Sequence, residues 1–165
     1  MTTASVAAPV VTSVGGLETV LQIVPAANSP LKIVEWGISF NGSALAAAFP
    51  CDLVETGNIA ASVTAYAAAD VMVYGDPNAP ANTAGAAGIP LNLTGATAFS
   101  GYTSTNDGTI TTNRVFDLQQ VEPIGGYFKQ FPLGREPAIK PGNVCRIRCH
   151  GDGVTKCLAY LVFEV

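Results

Sequence analysis

The stretch NVCRIRCHGDGVTKCLAYLVFEV, residues 143–165, carries the strongest structural signal in the chain. Two runs rich in Val, Ile, Leu, Cys and aromatic residues flank a polar turn with two glycines at 151–153. Apolar runs separated by such a turn are typical of a β-hairpin. The stretch therefore predicts two antiparallel strands at the heart of a sheet.

The alternation of side chains along a strand gives this hairpin an inner and an outer face. With Cys149 opposite Cys157, the apolar residues share the inner face. The inner pairs are Ile147 with Ala159 and Cys145 with Leu161, and the outer residues are Arg146, Arg148 and His150 beside Tyr160, Leu158 and Lys156. A slip of one residue would mix the two sets, so the pattern specifies the register well.

The rest of the chain shows the same kind of pattern in shorter pieces. Strand-like runs occupy residues 17–24, 31–40, 51–56, 62–66, 70–74, 114–123 and 127–131. Turns separate these runs, and no long helical pattern interrupts them. Such spacing predicts an all-β fold, an antiparallel β-sandwich. A jelly-roll-like sandwich is the first choice and an immunoglobulin-like sandwich the second. The one tryptophan, Trp36, is predicted to fill the core.

The chain of 165 residues is long enough for one domain. Residues 17–165 are predicted to form a single β-sandwich domain. Residues 1–16 are small and apolar, and they predict an extended or flexible N-terminal arm. Residues 75–113 are rich in Gly, Pro, Asn, Ala and Thr, and the stretch 101–113 at their end has the same character. They predict long central loops, which are common places for contacts with ligands or receptors.

Charged residues make up only 12% of the chain, about half of the ~25% that is usual in soluble proteins. A surface so poor in charge indicates that a partner, or further copies of the chain, cover part of it; the alternative is a neutral polar surface. No run of Lys and Arg suggests nucleic acid, and no segment resembles a signal peptide or a membrane span. The cysteines are then expected to be reduced thiols in a cytosol.

A cluster of Cys145, Cys149, His150 and Cys157 is the one group with the residue types of a metal site. Cys145 and Cys149 lie four residues apart on one strand, roughly 13 Å, which is too far for two sulfurs on one zinc ion. Buried, unreactive thiols are the expected state. A Cys149–Cys157 disulfide and a metal site are the lesser alternatives.

Other catalytic patterns are weak. His150, with Asp152 nearby, has no nucleophile motif, so an exposed turn histidine is expected. Asp52 and Glu55 are expected to face solvent, and Asn106-Asp107-Gly108 lacks the repeated ligands of a calcium loop. No phosphate-binding or dinucleotide-binding glycine pattern occurs. No catalytic residue, cofactor or metal is therefore predicted. Arg146 and Arg148 form either an anionic docking patch or salt bridges to neighbouring strands.

The C-terminal third resembles a group of small virion proteins of tailed bacteriophages. The matching order is RVFDLQQVEP, GYFKQFPLGREPAIKPGNVCRIRCHG and CLAYLVFEV, and the early segment LKIVEWGISFNG (31–42) fits the same group. The resemblance covers about half of the chain. It implies a jelly-roll-like decoration protein, commonly a trimer, that binds the major capsid protein on the outside of an icosahedral head. It carries no functional motif onto particular residues.

The expected function is therefore that of a capsid decoration protein, located on the virion exterior after synthesis in the host cytoplasm. It would be no enzyme and would bind neither nucleic acid nor membrane. The alternative is a minor tail or fibre module that binds host-surface carbohydrate. In that case four aromatic residues near loops would stack on sugar rings: Tyr66, Tyr74, Phe99 and Tyr102.

Overall fold

The computed structural model describes residues 3–7, 11–13, 16–41, 47–67, 70–74, 91–93, 100–151 and 155–164. The regular structure of these residues consists of β-strands, with no α-helix among them. The strands are β1 (Thr3–Ala7), β2 (Val11–Ser13), β3 (Gly16–Ile23), β4 (Leu31–Phe40), β5 (Phe49–Thr56), β6 (Ser62–Ala65), β7 (Val71–Val73), β8 (Gly101–Asn106), β9 (Thr112–Val121), β10 (Gly126–Gln130), β11 (Ala138–Ile139), β12 (Val144–Gly151) and β13 (Thr155–Glu164).

The strands form two antiparallel sheets that pack face to face, so the predicted all-β sandwich is confirmed. The seven-stranded sheet has the order β10-β4-β13-β1-β7, with β11 paired to β4 and β2 paired to β13. The six-stranded sheet has the order β6-β8-β3-β12-β5-β9. The chain passes repeatedly from one sheet to the other, after β2, β3, β4, β6, β7, β9, β11 and β12.

The core lies between the two sheets and is apolar. The largest fully buried apolar side chains include Trp36, Phe163, Leu21, Ile147 and Leu161. They come from alternate positions of β3, β4, β12 and β13, as expected for strands with one face on the core. Trp36 has no exposed surface, which confirms its predicted place.

The predicted hairpin of β12 with β13 is wrong. β12 lies between β3 and β5, whereas β13 lies between β4 and β1 and also pairs with β2. The predicted turn residues 152–153 lie outside the described residues. Alternation indicates which side of a strand faces the core, but it does not indicate which strands pair. The apolar sides of β12 and β13 fit two strands in facing sheets as well as they fit the two strands of a hairpin. All predicted inner residues are buried: Cys145, Ile147, Cys149, Cys157, Ala159 and Leu161.

Within the N-terminal segment, the described residues 3–7 and 11–13 are strands of the sandwich, where the sequence predicted an extended or flexible arm. Thr3–Ala7 pairs with β13 on one side and β7 on the other, and Val11–Ser13 pairs with β13. Ala4 has no exposed surface. Backbone hydrogen bonds along a central strand hold this segment in place, so its lack of bulky side chains does not keep it out of the sheet.

Part of the predicted central loop is a strand. Gly101–Asn106 pairs with β3 and β6, so the prediction of a loop over residues 101–113 is wrong there. Gly101 allows the close approach to β6, because a Cβ at this position would lie 2.3 Å from the carbonyl oxygen of Thr64. Residues 75–90 and 94–99 lie outside the described residues.

Candidate functional site

The four cysteines are buried thiols, as predicted. Cys51 and Cys149 are register partners on β5 and β12, and Cys157 on the facing sheet shares a side-chain hydrogen bond with Cys149. This contact and burial raise the pKa of the Cys157 thiol, and burial raises the pKa values of Cys51 and Cys145. The thiols therefore stay protonated and act as small apolar side chains. Among the described residues, no group of three His, Cys, Asp or Glu side chains is arranged to hold a metal ion.

Arg148 and Asp52 form an ion pair on the outward side of the six-stranded sheet. Two hydrogen bonds join them, Nε to Oδ1 at 2.9 Å and Nη2 to Oδ2 at 2.6 Å. Both residues are buried, so the expectation that Asp52 faces solvent is wrong. The hydrogen bonds and the charge of the paired guanidinium offset the desolvation cost of burying this carboxylate. His150 lies beside the pair, with Nε2 3.8 Å from Asp52 Oδ2, and Asp152 lies outside the described residues.

Arg146 holds the loops that cover the same sheet. Its Nη1 donates to Thr19 Oγ1 at 3.3 Å and to the Asp107 carbonyl at 3.1 Å, and its Nη2 donates to the Ile59 carbonyl. Burial lowers the pKa of Arg146, and the nearby Asp107 carboxylate partly offsets that effect. Of the two alternatives for Arg146 and Arg148, the salt bridges are therefore the correct one.

Glu55 is also buried, contrary to expectation. Its carboxylate is ion-paired with Arg114 and accepts hydrogen bonds from the Lys140 backbone N–H at 3.0 Å and from Asn143 Nδ2 at 2.9 Å. These partners come from β9 and from the connection between β11 and β12. Glu55 therefore ties one end of the six-stranded sheet together, which is a structural role.

Asp117 connects the two sheets at one edge of the sandwich. It lies on β9, and its carboxylate accepts hydrogen bonds from Trp36 Nε1 at 3.1 Å, Tyr127 Oη at 2.9 Å and Lys129 Nζ at 3.1 Å. Burial alone would raise the pKa of Asp117, but hydrogen bonds from Gln119, Tyr127 and Lys129 outweigh it and lower the pKa. Burial and the same carboxylate raise the pKa of Tyr127 to about 12.

The outer face of the seven-stranded sheet differs in that apolar side chains lie across several of its strands, whereas the six-stranded sheet carries the Arg148–Asp52 ion pair and exposes Val115 and Leu118 on its edge strand β9. We call it the outer face, and it consists of the outward residues of β10, β4, β13, β1 and β7. Its exposed members are Phe128 (72%), Met72 (66%), Tyr74 (53%) and Leu158 (49%). Between them lies a groove of about 680 Å³, with Ser5, Ala7, Ser39 and Gly126 among the residues that line it. These small side chains lie next to the larger Tyr74, Phe128 and Tyr160 and leave the room for the groove, so the face is concave there.

Tyr160 shapes the middle of the outer face. Its ring lies over Gly37, where a Cβ would come 2.3 Å from the ring carbon Cε1. Its hydroxyl donates to Glu35 Oε1 at 2.5 Å. The register places Phe128, Gly37, Tyr160 and Ala7 side by side in one row across four strands. The row is therefore a preformed, mainly apolar floor of the groove.

The aromatic residues expected to bind sugars do not gather on one surface. Tyr66 is buried, and Tyr102 packs against it with ring centroids 5.4 Å apart. Phe99 lies outside the described residues. Of the three that the structure describes, Tyr74 alone is exposed, and it lines the groove of the outer face. Phe128 and Tyr160 at this groove were missed by the sequence reasoning. Tyr160 was assigned to the outer side of its strand, but the sequence did not show that strand pairing brings Phe128 into the same row.

Comparisons with known proteins add no family. No protein-family model matches the chain, no curated protein is similar to it, and no solved structure matches it. In the described part of the chain, no helix has the length and apolar character needed to span a membrane. The resemblance to phage virion proteins therefore stays a prediction.

Proposed function

We propose that this chain is a structural protein of a tailed-phage virion, a decoration protein that binds the major capsid protein on the outside of the head. The observation that carries the proposal is the outer face, which is apolar, concave and made on a rigid sheet. The resemblance of residues 114–165 to phage virion proteins supports it, and so does the low fraction of charged residues, 12%.

The proposed mechanism is burial of surface, without chemistry on a substrate. Phe128, Met72 and Leu158 are exposed. When another protein covers them, the complex is stabilised by about 25 cal/mol for each Å² of apolar surface removed from water. The strands beneath are paired along β10, β4, β13, β1 and β7, so little ordering of the backbone is required on contact. The ion pairs on the other sheet stabilise the fold and leave this face free for assembly.

The test is binding to assembled heads. Purified protein is mixed with heads assembled from the major capsid protein of the same genome, and the mixture is separated on a density gradient. Saturable comigration at a fixed number of copies for each head, with a higher melting temperature of the head, is the expected result. Failure to comigrate with heads, by protein that is folded by circular dichroism, would contradict the proposal.

A carbohydrate-binding tail or fibre module is the second candidate. It is favoured by one observation, the exposed ring of Tyr74 at a groove that Phe128 and Tyr160 also line. Aromatic rings at a concave surface suit the apolar faces of sugars. A glycan array probed with the isolated protein tests this candidate, with Tyr74→Ala as the variant that should lose binding. Binding to glycans without binding to heads would select the second candidate over the first.

A further inference from the structure

We propose that the outer face packs against the same face of a second copy of this chain, with the two β13 strands antiparallel. This inference rests on the proposed function, in which the outer face is a contact between protein subunits of the assembled shell. It assigns that contact to a second copy of this chain, so that the dimer binds the major capsid protein through another surface. Three features of the described residues support it: the order of charges along β13, the size of the face and the position of Phe128.

The outward residues of β13 follow a charge order that complements itself. From one end to the other they are Lys156, Leu158, Tyr160, Val162 and Glu164. A two-fold axis that crosses the strand at Tyr160 brings Lys156 over Glu164 of the second copy, and Leu158 over Val162. The symmetry repeats both contacts, so every charged end of β13 meets its opposite. A parallel arrangement would instead set Lys156 against Lys156, which disfavours it.

The neighbouring charges do not oppose this arrangement. Lys32 is the register partner of Glu164 on β4. The two-fold axis sets Lys32 over Asn41 of the second copy, because the Asn41 backbone N–H bonds to the Lys156 carbonyl at the other end of β4. Glu35 is occupied by the Tyr160 hydroxyl. No like charges therefore face each other across the proposed contact among the described residues of β4 and β13.

The face has the area that a modest dimer needs. Five strands about 4.8 Å apart, and the length of β13 between its charged ends, give a footprint of roughly 600 Å² for each copy. Two copies would then bury about 1,200 Å², which is the lower end of the range for specific interfaces. We therefore expect a dimer that dissociates on dilution. Because an isologous contact closes at two copies, this face makes pairs and not the trimers that the sequence resemblance implies.

Phe128 provides the apolar anchor of the contact. It belongs to the same row as Tyr160, so the two-fold axis brings Phe128 of one copy against Phe128 of the other. Its side chain is 72% exposed in the single chain, which makes it a position where substitution leaves the core intact. Large apolar anchors near the axis of an interface commonly carry most of the binding.

The first experiment measures the mass of the free protein by sedimentation velocity over a wide range of concentrations. The expected result is a monomer–dimer equilibrium, with the dimer dissociation constant raised at least tenfold by Phe128→Ser. The matched control is Leu133→Ser, because Leu133 is 93% exposed and does not line the groove. A monomer at every concentration, a trimer, or a dimer that Phe128→Ser leaves unchanged would overturn the proposal.

The second experiment tests the antiparallel orientation with charge reversals. Lys156→Glu and Glu164→Lys each place two like-charged pairs in a homodimer, so each variant alone should dimerise weakly. An equal mixture forms heterodimers in which both pairs are again opposite, and dimers should return. If both variants are folded and the mixture stays monomeric, the orientation is wrong. Head binding is scored separately, so a monomer that binds heads refutes only the dimer, and a dimer that does not bind heads refutes only the decoration role.

Discussion

Replacing Asp117 by alanine should cost about 4 kcal/mol of the free energy of unfolding. The Trp36 N–H is fully buried and would lose its acceptor at 3.1 Å, which costs about 1–3 kcal/mol. Tyr127 loses a hydrogen bond to a charged group, worth about 1.5–3 kcal/mol. Lys129 is one-third exposed, so its ion pair adds only about 0.2–1 kcal/mol. The total is of the size measured when one partner of a buried charged pair is removed.

Urea unfolding measures this change in the free energy of unfolding. The transition is followed by the fluorescence of Trp36, the single tryptophan, whose indole N–H loses its acceptor in the variant. A change of about 4 kcal/mol lowers the folding equilibrium constant by roughly a thousandfold. Glu122→Ala is the control, because Glu122 is an exposed carboxylate on the connection from β9 to β10. This control should stay within about 0.5 kcal/mol of the parent protein. If Asp117→Ala costs less than about 1 kcal/mol, the carboxylate does not connect the two sheets.

Three other predictions concern separate parts of the fold. In Gly37→Ala the new methyl group must displace the Tyr160 ring and break its hydrogen bond to Glu35. Alanine is favoured over glycine in a strand by ~0.5–1 kcal/mol, so the net loss of folding free energy should be about 1–2 kcal/mol. A variant that is more stable in thermal unfolding would refute this. The folded protein lowers the pKa of Asp117, so its contribution is present above the unfolded value near pH 4 and is lost as the pH falls further. The stability difference between the parent protein and Asp117→Asn should accordingly be smaller at pH 3 than at pH 7. The four buried thiols should react with a disulfide reagent such as Ellman's reagent only after unfolding in urea, and rapid reaction of any native thiol at neutral pH would contradict their burial.

Alternating patterns predicted single strands well. The run 31–40 coincides with β4, and the run 127–131 overlaps β10. Trp36 was correctly placed in the core, because a large aromatic side chain on the apolar face of a strand is usually buried. Thr3–Ala7 was missed as a strand, because its small side chains give weak alternation and its position depends on hydrogen bonds to β13 and β7.

The buried ion pairs could not be predicted from the sequence. Asp52 and Arg148 lie 96 residues apart along the chain, and only the pairing of β5 with β12 makes them neighbours. A carboxylate is expected at the surface unless a partner compensates its burial, and the pattern of one strand contains no information on the partner strand. Asp52 and Glu55 were therefore assigned to solvent, whereas the structure places both inside.

The stretch 143–165 shows where the sequence alone was sufficient and where it was not. Its alternation determined which residues face the core between the sheets, because side chains of a strand point to opposite sides in turn. It did not determine burial on the other side, where Arg146 and Arg148 are buried as well. Only the tertiary structure decided that β12 and β13 belong to different sheets, since strand partners are chosen by contacts far apart along the chain. For this reason Arg148 and Tyr160, which a hairpin would place side by side, lie on opposite outer surfaces of the sandwich. One surface buries the Arg148–Asp52 ion pair, and the other exposes Phe128 and Leu158.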